Sequence, residues 1–156
     1  MAQMRSRAAV VVPRWLVATS LGIAVAGLLV AGYLTVEHFT ASTTLACPDT
    51  GVVNCTKVTT SEQSKVFGIP VALLGLVFFV VMVVACLPMI WRDQRPFIRY
   101  GRLGFATVGV IFVAYLVYAE LFVIDAICLW CTAVHVLTVA LFAVIAFGTA
   151  LLSPVR

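Results

Sequence analysis

Five cysteines are the residues most able to do chemistry in this chain: Cys47, Cys55, Cys86, Cys128 and Cys131. Cys128-Leu129-Trp130-Cys131 is a CxxC motif. At the start of a helix this spacing holds both sulfurs within about one turn, and the positive end of the helix dipole favours the first thiolate. A ring that short is strained and easily reduced, which suits a redox couple better than a staple. Cys47 and Cys55 bracket a Pro-Asp-Thr-Gly turn sequence. A bond between them would close a loop worth only about 2.5 kcal/mol in chain entropy, little for a staple and reasonable for a bond that is made and broken. Two inert structural disulfides are the alternative, and a four-thiolate zinc site is a third possibility. Two exchanging redox pairs fit the spacing best. Cys86 sits in the apolar run Met82-Val83-Val84-Ala85 and reads as a small core hydrophobe.

The surrounding sequence must hold these thiols in a membrane. Of 156 residues, 63% are hydrophobic and 10% charged, which excludes an ordinary soluble domain and a disordered chain. The net charge of +4 lies in short patches and gives nucleic acid no binding surface. Four stretches reach the roughly 20 residues that a transmembrane helix requires: about 15–34, 66–91, 103–124 and 126–152. The expected fold is an all-α membrane protein, a single domain over 1–156. It is a four-transmembrane-helix bundle, with an outward loop at 35–65 between its first two helices. The first run is read as a retained helix rather than a signal peptide, because no small-residue cleavage site follows it cleanly.

Orientation follows from the basic residues. Arg5, Arg7, Arg14, Arg92, Arg95, Arg99, Arg102 and Arg156 fall on one side, and only Lys57 and Lys65 on the other. Both termini should therefore be cytoplasmic, with the basic segment 92–102 serving topology alone. The 35–65 loop and the turn at Asp125 should face outward, which collects four of the five thiols on the oxidising face.

These residues resemble the vitamin K epoxide reductase family, in its bacterial branch. The similarity rests on CPDTGVVNCTKV at 47–58, VFGIP at 66–70, ELFVI at 120–124 and CLWC at 128–131. DsbB-type quinone reductases carry the two cysteine pairs in the opposite order. The resemblance implies a relay in which a soluble thioredoxin-like (DsbA-like) partner gives electrons to the loop pair, with Cys47 as the thiol that meets it. Cys55 then attacks Cys128 through a transient bridge, and Cys131 faces a membrane quinone, menaquinone or ubiquinone. It implies a quinone-dependent thiol oxidase of the bacterial inner membrane that supports disulfide-bond formation. It implies no metal and no flavin, and a partner acting in trans, because no fused thioredoxin domain follows the fourth span.

The resemblance also places a short amphipathic surface helix at 56–65, where Thr59, Thr60, Ser61 and Ser64 form a polar face over the quinone pocket. Ser61 matches a serine tied to exchange between the loop and the CxxC. Pro70 fits the first turn of the second span. His135, one turn past Cys131, stands where vertebrate relatives place a tyrosine, and an intramembrane ionisable group is a functional candidate. It would bond a quinone oxygen or relay a proton. Phe67, Phe112, Tyr115 and Trp130 are candidate walls of the pocket. Glu120 lies about one turn inside the outer interface, within snorkelling reach of water, and with His135 is a candidate proton donor. Asp125 is expected to cap the fourth helix, and Glu37 and His38 to anchor the end of the first. Two rivals remain: an epoxide reductase of the endoplasmic reticulum, and a non-enzymatic four-span protein with a disulfide-stapled binding loop.

Overall fold

The first apolar run folds into α1, Arg14–Thr40, entered through Pro13, whose carbonyl accepts the Leu16 N–H at 3.1 Å. The structure, a computed structural model, describes residues 11–40, 47, 50–93 and 95–152. Arg5, Arg7 and Arg156 of the orientation argument lie outside these, as do Pro48 and Asp49 of the loop turn. Helix α1 runs past the expected end at 34. Thr35 and Thr40 turn their hydroxyls back onto the carbonyls of Ala31 and Val36 (2.7 and 2.9 Å), so these polar side chains find partners within the helix itself.

The surface helix expected at 56–65 is shorter and broken. Helix α2 spans Cys55–Thr59, and a separate 3-10 turn covers Glu62–Ser64. Thr60 and Ser61 hydroxyls bond the Thr56 and Val58 carbonyls at 2.7 Å each, competing with the helical ladder where it stops. The chain then forms a small antiparallel hairpin, β1 (Lys65–Val66) with β2 (Ile69–Pro70). Its turn residues, Phe67 and Gly68, have φ of 51° and 81°, the left-handed pair of a two-residue hairpin. The expected span 66–91 therefore begins later. Pro70 is the residue before α3, Val71–Ala85, rather than part of its first turn. Helix α3 stops at Ala85 because Leu87 precedes Pro88 and is driven to extended backbone (ψ 147°). Pro88 then starts the short α4, Pro88–Arg92.

Helix α5, Pro96–Ala119, starts before the expected 103, with its proline in the first turn. It continues as a π-helical turn over Glu120–Ile124. Helix α6 runs Leu129–Leu151, inside the expected 126–152. Among the described residues, three helices are long and apolar enough to cross a bilayer: Arg14–Thr40, Pro96–Ile124 and Leu129–Leu151. Helix α3 is as apolar but has 15 residues. The chain is an all-α membrane protein.

Helix α1 packs against α3 and α6, and α5 against α6, while α3 meets α5 mainly through Phe78, whose ring stacks on Phe105 at 5.3 Å and lies against Gly109. Small residues bring the helices close: Gly27 lies against the Phe79 ring and Gly148 against Leu16 and Trp91. The core concentrates towards the end of the bundle opposite the loop, around Leu16, Met82, Cys86 and Trp91. There the Trp91 indole donates to Ser20 Oγ at 3.1 Å, and the Arg102 guanidinium stacks 3.4 Å above the Trp91 ring. Arg102 also donates to the Ala85 carbonyl (3.2 Å) and Arg99 to that of Leu152 (3.3 Å), so each compensates a helix C-terminus. Both arginines are buried. The reading of the 92–102 segment as topology alone is thus corrected: half of its arginines are structural. Cys86 is wholly buried in this region, as a core residue.

Candidate active site

Three backbone hydrogen bonds organise the end of the bundle that carries the loop. Gly51, at φ 83°, turns the chain, and the Thr50 N–H closes the turn on Val53 O at 3.2 Å. Val53 then pairs with Ile127 in a single parallel bridge. The Ile127 N–H donates to Val52 O at 2.9 Å, and the Asn54 N–H to Ile127 O at 3.1 Å. The loop is thereby pinned two residues before Cys55 to a point one residue before Cys128. Asn54 caps α2, its side-chain oxygen accepting the Lys57 N–H at 2.8 Å. Lys57 Nζ in turn reaches the Asp125 carbonyl at 3.4 Å.

Cys55, Val58, Ala126 and Cys128 consequently form one buried cluster, with Cys47 and Cys131 packed against it. The structure brings all four expected thiols together and leaves Cys86 elsewhere. Cys47 and Cys55 are joined in a disulfide, while Cys128 and Cys131 are free.

Cys128 is the N-cap of α6: its Sγ accepts the Cys131 N–H at 3.2 Å. Asp125 does not cap this helix, contrary to expectation. It adopts the left-handed conformation (φ 51°, ψ 48°) and ends the π-turn, its N–H returning to the Glu120 carbonyl. Cys128, just ahead of the membrane-spanning α6, is held below the ordinary thiol range, chiefly because the Cys131 thiol hydrogen-bonds to it. Burial opposes that shift, and the Cys131 backbone N–H adds to it.

Cys131 opens onto a cavity of about 430 Å³ between the helices, walled largely by Val, Leu and Phe side chains from α1, α3 and α5. Of the other expected pocket residues, Ser61, Glu120 and His135 line it, and Phe112 contributes to the wall. Cys131, His135 and Thr138 form one stripe along α6, at helical spacing. Thr59, Ser61, Gln63 and Ser64 contribute to the lining from the segment after Cys55, and Thr60 does not.

Three candidates fall elsewhere. Phe67 is 100% exposed at the hairpin tip, because its positive φ turns it away from the bundle. Tyr115 faces outward, and Trp130 packs on Tyr33 with ring centroids 5.0 Å apart. His38, read as an interfacial anchor, lines the cavity instead. Its signal was available: Ala31, Leu34 and His38 share one helical face once α1 continues to Thr40.

Glu120 is 6% exposed, while Leu121, Phe122 and Val123 beside it face outward. The extra residue per turn of the π-helix gives the chain this rotation, and such turns recur at functional sites. Its carboxyl does not snorkel. It accepts the Cys128 backbone N–H. Among the described residues no group of three side chains is arranged to hold a metal ion.

The model of the Vitamin K epoxide reductase family matches residues 18–146 of the chain. No curated protein matches it.

Proposed function

The chain belongs to the vitamin K epoxide reductase family, and from that premise we propose that it is an integral membrane oxidoreductase passing electrons from a DsbA-like partner to a membrane quinone. The observation that carries this reading is the single cluster of four cysteines with Cys131 on the wall of an apolar cavity. A thiolate of the reduced partner, acting in trans, attacks Cys47 of the loop disulfide and expels the Cys55 thiolate; the partner's second thiol then displaces Cys47, which leaves the partner oxidised and the loop reduced. The Cys55 thiolate attacks Cys128 of a closed Cys128–Cys131 bond, forming a Cys55–Cys128 bridge and expelling the Cys131 thiolate. Cys47 then attacks Cys55, which restores the loop disulfide and leaves Cys128 and Cys131 as thiols. The pairing in the structure, loop closed and CxxC open, matches the end of that exchange.

The cavity suits a quinone: its volume falls within the usual 300–1,000 Å³ of small-molecule pockets, it is mostly apolar, and a few polar groups converge in it. A quinone held there supplies a two-electron acceptor. His135 and Ser61 are offered to orient its oxygens, and Cys131 to face its ring. Ile124, Val134 and the α3 wall keep water from the thiols. Helix α3, extended by the hairpin and α4, serves as the fourth span, with both termini cytoplasmic and the redox loop outward in a bacterial inner membrane. Menaquinone and ubiquinone both fit this description.

The test mixes purified, reduced protein anaerobically with a soluble quinone and follows quinone absorbance, with Cys131→Ala alongside. Rapid loss that vanishes in the variant supports the relay. No quinone reduction by folded wild type refutes it, and favours a disulfide-stapled binding protein.

A further inference from the structure

Closing the Cys128–Cys131 bond removes two electrons and two protons from the thiols, and both protons must reach quinone oxygens if the reaction is to stay neutral. Cys131 lines the cavity and can release its own proton there. Cys128 cannot: it is fully buried and does not line the cavity. Nor can Cys131 accept that proton, because its sulfur is consumed in the same bond.

Among the described residues, Glu120 is the other titratable side chain that both contacts Cys128 and lines the cavity. Its carboxyl accepts the Cys128 backbone N–H and lies within electrostatic reach of both sulfurs. The π-turn that starts at Glu120 buries its side chain in the cavity lining, where Cys131 also lies and Cys128 does not. His135 is one turn deeper along α6, on the Cys131 face. His38 comes from α1 at the outer end of the cavity lining.

We propose that Glu120 is a proton-relay residue, which takes the Cys128 thiol proton as the Cys128–Cys131 disulfide forms and delivers it through the cavity to a quinone oxygen. The inference rests on the quinone-reductase reading above. The step balances: one S–S bond forms, two S–H bonds break, the quinone gains two electrons and two protons, and Glu120 ends as it began. The thiol protons are sufficient, so none is drawn from either aqueous phase.

Two measurements on the full chain test it. The first is redox-difference infrared spectroscopy of quinone-free protein in wild-type and Glu120→Gln forms. Gln keeps an oxygen for the Cys128 N–H but cannot relay a proton. A carboxyl band that changes with the redox state of Cys128–Cys131, and is missing in the variant, is expected. Identical difference spectra overturn the relay.

The second compares quinone reduction with thiol exchange from the loop to the CxxC. Glu120→Gln should lower kcat about 100-fold with KM and exchange unchanged, and Glu120→Asp should stay within about tenfold of wild type. An unchanged kcat overturns the relay, and so does a joint loss of exchange and quinone reduction, which marks a structural role. If wild type itself reduces no quinone, the functional reading fails, and the relay with it. If wild type and Glu120→Gln reduce it equally fast, only the relay fails.

Discussion

Replacing Asn54 by Ala should weaken the Cys55–Cys128 encounter without touching either sulfur. Helix α2 has five residues, well below the roughly 12–15 at which an isolated helix becomes even marginally stable. It therefore depends on its cap and on its packing against Ala126 and Cys128. The Asn54 side chain accepts the Lys57 N–H at 2.8 Å, and Ala cannot. The Asn54 backbone N–H still reaches Ile127 in the variant, so the loop stays pinned while the start of α2 loosens. Loss of such a cap costs about 1 kcal/mol, which corresponds to about fivefold in the population that presents Cys55 to Cys128.

The assay uses protein carrying Cys47→Ala and Cys131→Ala, so that Cys55 and Cys128 are the pair left at the site. Equilibration against glutathione buffers gives the effective concentration of one thiol at the other, with no quinone involved. Asn54→Ala should lower it about fivefold, while Asn54→Asp, which can still cap, should stay within about twofold of the parent. An unchanged value for Ala, or an Asp value as low as that for Ala, would refute the argument that the cap positions Cys55.

Three further outcomes are expected. Gly148→Ala would put a methyl group 2.8 Å from Leu16 Cδ2 and Trp91 Cη2, and should destabilise the protein by about 1–3 kcal/mol in reversible unfolding. Thiol exchange should be unchanged in the protein that remains folded. Arg102→Leu removes the contact 3.4 Å above the Trp91 ring and the bond to Ala85 O, and should cost about 1–3 kcal/mol by the same measurement. A variant as stable as wild type would show that these contacts only offset the cost of burying the charge. His135→Leu should raise KM for a soluble quinone about tenfold, the worth of one hydrogen bond to substrate, and leave exchange from the loop to the CxxC intact. A KM equal to that of wild type removes His135 from the site.

Much of this architecture was legible in the sequence, because membranes impose one-dimensional rules. A bilayer requires long apolar runs, so the helices and the cysteines between them could be read from composition and spacing alone. The ends of the elements were harder to read. They turn on local competition for hydrogen bonds, such as Thr60 folding back onto Thr56, or on Leu87 being forced extended by Pro88. Asp125 looked like a cap by residue type, yet Cys128 does that work once Asp125 turns left-handed. Phe67 looked like a pocket wall by chemistry, and the positive φ of a hairpin turn exposed it. His38 went the other way, into the cavity, when α1 proved longer.

The sequence by itself determined that the chain lives in a membrane, that Cys47 and Cys55 flank one turn, and that Cys128 begins a helix. Those properties follow from hydrophobicity and from neighbours close in the chain. Tertiary structure decided that Cys55 and Cys128 share one cluster, through a bridge between Val53 and Ile127 that no periodicity announces. It also decided that Glu120 faces inward, because a π-turn shifts helical phase by an amount that ordinary 3.6-residue spacing does not predict. Contacts between residues more than 70 positions apart depend on how helices pack, and packing is a property of the assembled bundle.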